Sequence, residues 1–196
     1  MMSLKDAVHL CIDMQRIFSK GGVWETPWME RVLPVVVEIA ARYKERTIFT
    51  RFITPQTPAQ RPGQWQQYYL RWKAATQEHL QPHQLDLVPA LAGFAPPAHI
   101  IDKPAYSAFY LSGLDVFLQE KNVRCVVVTG AETDVCVLST VLGAVDRGFR
   151  VVIVEDALCS SSDAGHEALM TIYRTRMQEQ IDLISSSELP AVWRLD

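Results

Sequence analysis

The chain has 196 residues, 48% of them hydrophobic and 21% charged, with a formal net charge of −3 and a pI of about 6.0. That balance fits one soluble globular domain with a sizeable core, and it excludes the basic footprint of a nucleic-acid binder or a polybasic membrane surface. No apolar run approaches the ~20 residues needed to span a bilayer, and no signal peptide is read at Met1–Asp6, so a cytoplasmic location is expected.

In chain order, Val8–Ile12 reads as a buried strand and Leu33–Tyr43 as a helix with Glu38 and Arg42 on its polar face. Thr47–Phe52 is a second strand, His99–Ile101 a third, and Leu111–Lys121 a helix. Val123–Thr129 is a near-continuous apolar run, suited to a strand covered on both faces. Val137–Arg147 follows as a helix stopped at Gly148. Arg150–Val154 is a fifth strand, Ala164–Met177 a helix and Ile181–Ile184 a sixth strand. This alternation predicts a Rossmann-like, three-layer α/β/α fold over residues 1–196, with a mostly parallel six-stranded sheet in the order 3-2-1-4-5-6. The segment 54–97, rich in Pro, Gln and Trp, breaks the pattern and reads as a lid or binding loop.

The four cysteines divide by context. Cys11 and Cys125 lie in apolar strand-like runs, where a thiol acts as a small hydrophobe. Cys159 sits in a polar stretch, and Cys136 follows a Gly-Ala-Glu-Thr-Asp turn. With no CxxC pair and no zinc spacing, one reactive thiol among three structural ones is the economical reading.

Ligands of an open α/β sheet sit beyond the carboxyl ends of its strands. Asp13 follows the first strand, Lys103 the third and Cys136 the fourth. A thiol is a weak nucleophile until a base or a cation activates it. Cys136 is expected to open a helix whose dipole favours an anion. Lys103 would hold the thiolate by charge, and Asp13 would carry its proton to a leaving group. No histidine is placed for a Cys–His dyad: His9 lies inside a strand, and His166 reads as a capping or packing group.

The stretch from Cys11 to Phe18 (CIDMQRIF) is similar to the D-x-Q-x-x-F opening of isochorismatase-like hydrolases. Lys103–Phe109 (KPAYSAF) resembles their lysine motif, and Val128–Val137 (VTGAETDVCV) their nucleophile motif. The resemblance implies a cysteine hydrolase with the triad Asp13, Lys103 and Cys136. It further implies a non-proline cis peptide at Ala131–Glu132, and an oxyanion hole formed by the backbone N–H groups of Glu132 and Cys136. Gln15, Phe18, Trp65 and Tyr106 are candidate substrate-binding residues. A small-molecule substrate and a homo-oligomer, dimer or tetramer, are expected, with no nucleic-acid or membrane partner and no cofactor.

Metal-binding nicotinamidases of that superfamily carry Asp-x-His after the second strand, where this chain has Arg51-Phe52-Ile53-Thr54-Pro55, so no metal is expected. A cysteine at position 136 favours cleavage of a C–N bond in a small amide, carbamoyl or ureido compound through a thioester. The alternatives are a vinyl-ether hydrolase of the isochorismatase type and an idle member serving as a scaffold. A nucleotide-binding Rossmann domain would need G-x-G-x-x-G after the first strand, where Asp13-Met14-Gln15-Arg16 stands.

Overall fold

The computed structural model describes residues 4–194. Six apolar runs form one sheet: β1 (Ala7–Ile12), β2 (Thr47–Phe52), β3 (His99–Lys103), β4 (Cys125–Ala131), β5 (Arg150–Cys159) and β6 (Ile181–Ile184). Its order is β3-β2-β1-β4-β5-β6 and every pairing is parallel, in accord with the strand–helix alternation. The helices are α1 (Met29–Arg42), α2 (Gln64–Arg71), α3 (Pro89–Ala92), α4 (Leu114–Glu120), α5 (Leu138–Asp146), α6 (Asp163–Arg176) and α7 (Leu189–Val192).

Because successive strand residues point to opposite faces, the sheet feeds two cores. Cys11 packs with Val36 and Ile39 of α1, Leu91 of α3 and Leu189 of α7. Leu10 and Ile12 pack with Leu118 of α4, Val141 of α5 and Tyr173 of α6. In the sheet centre, buried His9 bridges Thr47 (3.1 Å) and Thr129 (2.8 Å). Burial lowers its pKa to about 3, so His9 is a neutral tie between strands and no acid–base catalyst.

Several boundaries differ from those read in the sequence. α1 begins at Met29, a turn before Leu33, because Met29, Val32 and Val36 continue its apolar stripe and Pro34 falls inside the helix. β5 runs on to Cys159, with the Glu155–Asp156–Ala157 stretch taken up where its register against β4 shifts. Cys159 is therefore fully buried at a strand end, not part of a polar loop. The helix expected from Val137 starts at Leu138 and is preceded by a π-helical turn, Thr133–Val137, that carries Cys136.

β1 and β4 come closest at the rim. Gly130 lies opposite Ile12 in register, and a Cβ there would fall 2.1 Å from the Ile12 carbonyl oxygen. Its φ of +110° also disfavours any L side chain. Glycine at this position lets the turn that carries Cys136 begin directly against the end of β1.

Candidate active site

Asp13 is the first residue beyond β1, in the left-handed region at φ +49°. It is held there by Thr50 of β2, whose hydroxyl accepts from the Asp13 N–H (3.1 Å) and donates to Oδ1 (2.6 Å). Lys103, the last residue of β3, places its Nζ 2.7 Å from Asp13 Oδ2, both side chains being fully buried. The same ammonium donates to the carbonyls of Ala105 (3.0 Å) and Tyr106 (2.8 Å) and lies 4.9 Å from the centre of the Phe52 ring. Burial opposes its charge, yet the Asp13 carboxylate and Cys136 leave the Lys103 pKa above its ordinary value. Lys103 is thus a fixed cation, with its three protons engaged.

Apart from this ion pair, Asp13 Oδ2 has no hydrogen-bond partner among the described residues. Both charges act on Cys136. Burial raises the thiol pKa most; Lys103 lowers it and Asp13 raises it, and the net direction is upward. The resting group is a neutral thiol, because one buried cation, itself paired, does not offset the loss of water. The other three thiols are also held neutral by burial, Cys11 and Cys125 at about 12.

Cys136 differs from them in access. It lies in the wall of a cavity of about 420 Å³ at the carboxyl ends of the strands, where an open α/β sheet takes its ligands. Phe18 and Tyr106, expected as binding residues, line this cavity. Trp65 stands behind it, 4.8 Å from the Tyr106 ring and 6.4 Å from that of Phe52. Gln15, also expected as a binding residue, is buried and not among the cavity's lining residues; its amide donates to the Phe52 and Leu85 carbonyls and accepts from the Phe52 N–H, fastening β2 and the 54–97 segment to the end of β1.

Tyr68 and Trp72, among the aromatics of the 54–97 segment read as able to line a pocket, do line it, whereas sequence reasoning missed Trp24, Thr50 and the Glu132 side chain. Arg51, at the rim of β2, forms a bidentate pair with Asp102 at 2.7 and 2.9 Å.

The Ala131–Glu132 peptide is cis. The Glu132 carbonyl accepts from the Val135 and Val137 N–H groups, closing the turn. The turn is locked from the far side by the Thr133 hydroxyl, which donates to the Cys159 carbonyl (3.2 Å) and lies 2.9 Å from His166 Nδ1. His166 is in turn packed against Trp28, with ring centres 5.1 Å apart. Among the described residues, no group of three or more His, Cys, Asp or Glu is arranged to hold a metal ion. Among these residues, no helix is long and apolar enough to cross a membrane.

The model of the isochorismatase domain matches residues 7–185. The chain belongs to the isochorismatase family. Its similarity to the uncharacterized isochorismatase family protein YaaI of Bacillus subtilis is 30% identity over 87% of this chain and 90% of that protein. The ureidoacrylate amidohydrolase RutB of Methylorubrum extorquens is 37% identical over 36% of this chain, a match that spans 27% of RutB. The fold of this family member superposes on a cysteine hydrolase from Pseudomonas syringae pv. phaseolicola with a TM-score of 0.80 at 21% identity, covering 94% of this chain and 90% of that one. Curated relatives are matched over very different shares of their own length, from 27% through 47% to 90%.

Proposed function

We propose that this isochorismatase-family chain is a cysteine-nucleophile hydrolase that cleaves a C–N bond of a small amide, carbamoyl or ureido compound. The observation that carries the reading is a buried Asp13–Lys103 pair acting on Cys136, a thiol that opens onto a ligand-sized cavity. The partial likeness to an amidohydrolase, RutB, supports the C–N bond as the target.

In this mechanism Cys136 Sγ attacks the substrate carbonyl carbon as Asp13 Oδ2 takes the thiol proton. A raised thiol pKa suits such a coupled step, since the nucleophile is uncovered only when a substrate is present to receive it. Charge moves to the carbonyl oxygen, which accepts from the Glu132 and Cys136 N–H groups. Collapse of the tetrahedral intermediate breaks the C–N bond, with Asp13 returning its proton to the departing nitrogen. Water, deprotonated by Asp13, then attacks the thioester, releases the acid and restores the thiol. Lys103 moves no proton; it orients Asp13 and offsets negative charge on sulfur.

Screening small amides, carbamoyl compounds and ureas for ammonia or amine release tests the reading. Turnover, with the acyl adduct mapped by mass spectrometry to Cys136 after rapid quenching, is the expected result. Silence across the panel, or an adduct on another residue, overturns it.

A further inference from the structure

Glu132 does more in this cavity than offer its backbone. Its side chain lies in the cavity wall, half-buried, with Oε1 accepting from the Thr26 hydroxyl (3.0 Å) and the Ser161 N–H (3.2 Å). Both donors are neutral, and among the described residues no cation pairs with Glu132. Oε2 has no hydrogen-bond partner there either, and it is not sealed from solvent. A fixed carboxylate with one free oxygen thus faces the cavity. Glu25 lines the same cavity, while none of the lining residues is Lys, Arg or His. The buried Lys103 does not balance these charges, because Asp13 already does.

Most of the remaining wall is aromatic, beside Val23, Val135, Cys136 and Ser161. Trp24 stands at their centre, its ring 6.0 Å from Tyr68 and 6.2 Å from Trp72 in tilted and edge-on packing. Aromatic faces attract cations through their quadrupole, most strongly where water is excluded, and a neighbouring carboxylate adds to that attraction. The negative field of Glu132 reaches the Tyr68 and Tyr106 hydroxyls; desolvation raises both pKa values, and Glu132 raises them further.

We infer that Glu132 and the Trp24–Tyr68–Trp72 wall form a cation-accepting subsite, so that the substrate is an amide or carbamoyl compound bearing an ammonium group. Substrates with a free carboxylate are disfavoured, because no Lys, Arg or His is among the residues that line the cavity. This deepens the hydrolase reading and takes this cavity as the substrate site. Quaternary and protonated amines share the chemistry, the latter gaining a hydrogen bond to Oε2.

Calorimetric titration of the intact protein with three compounds of similar shape tests the subsite without any turnover. These are choline, the neutral 3,3-dimethylbutan-1-ol and the anion 3,3-dimethylbutanoate. Choline should bind ~10-fold or more tightly than the alcohol, with the anion weakest. The preference should shrink in Glu132→Gln, which retains an acceptor for Thr26 and Ser161 but removes the charge. Equal binding of choline and the alcohol, tighter binding of the anion, or no choline binding overturns the proposal. If Glu132→Gln misfolds by circular dichroism, the wild-type ranking alone decides. Choline preference without turnover of any amide removes the hydrolase reading and leaves the subsite standing; turnover without choline preference does the reverse.

Discussion

The strand-end rim and the 54–97 segment meet in one cavity but are built by opposite means. At the rim each reactive group is fully or almost fully buried, tied to a strand end and held by named partners: Asp13 by Thr50 and Lys103, Lys103 by two carbonyls, Cys136 by the π turn. The segment carries only the eight-residue α2, the four-residue α3 and 3₁₀ turns, and it contributes ring faces without buried charges. A rim of this kind determines what chemistry is done, since misplacing a buried charge costs both stability and rate. The segment's aromatic faces determine which molecule enters, and those facing the cavity can change with little effect on the sheet, whereas its buried Leu87, Val88 and Leu91 belong to the sheet's own core.

The sharpest break of this contrast is at the nucleophile. Cys136→Ala should lower turnover by roughly 10⁴–10⁶ while the thermal midpoint changes little, because only one sulfur is lost from a cavity wall. A measured rate within tenfold of wild type removes Cys136 from the mechanism.

Next come the two charges, which should behave as opposites. Asp13→Asn should slow acylation by ~10²–10⁴ and lower the Cys136 pKa, because Asp13 raises it. Lys103→Met should raise that pKa, and should also destabilise the fold by ~3–5 kcal/mol by leaving Asp13 buried without its cation. Alkylation of Cys136 followed against pH separates them. Only the thiolate reacts, so in wild type the rate should keep climbing well above the ordinary cysteine pKa of ~8.5. The climb should begin at lower pH in Asp13→Asn and at higher pH in Lys103→Met; shifts in the same direction would defeat the assignment of roles.

On the segment side the effects should be smaller and fall on binding. Trp72→Ala should raise KM ~10-fold with kcat little altered, the ~1–3 kcal/mol typical of one lost apolar contact in a pocket. A collapse of kcat instead would place Trp72 with the rim. The smallest effect is expected at Arg51, whose exposed pairs with Asp102 and Asp86 should contribute no more than about 1 kcal/mol to stability. Arg51→Ala should therefore leave turnover unchanged, and a rise in KM would show that Arg51 contacts substrate.

Asp13, Lys103 and Cys136 were legible from the sequence because β-branched runs mark strands, and an open parallel sheet brings strand ends together at one rim. The sheet order followed from the same alternation. Tertiary structure alone decided the rest. Gln15 belongs to a motif yet spends its amide on backbone, because β2 and residue 85 arrive on either side of it. Thr50 is an ordinary strand residue until parallel pairing sets its hydroxyl beside Asp13. The charged neighbours of Cys136 were visible in the chain, whereas the desolvation that outweighs Lys103 and raises the thiol pKa is a property of the packed interior. Glu132 and Trp24 lie more than a hundred residues apart, and no local pattern places them in one cavity. Local periodicity reports which way each side chain faces; whether that face meets water, a ring or another charge is settled only when distant segments pack together.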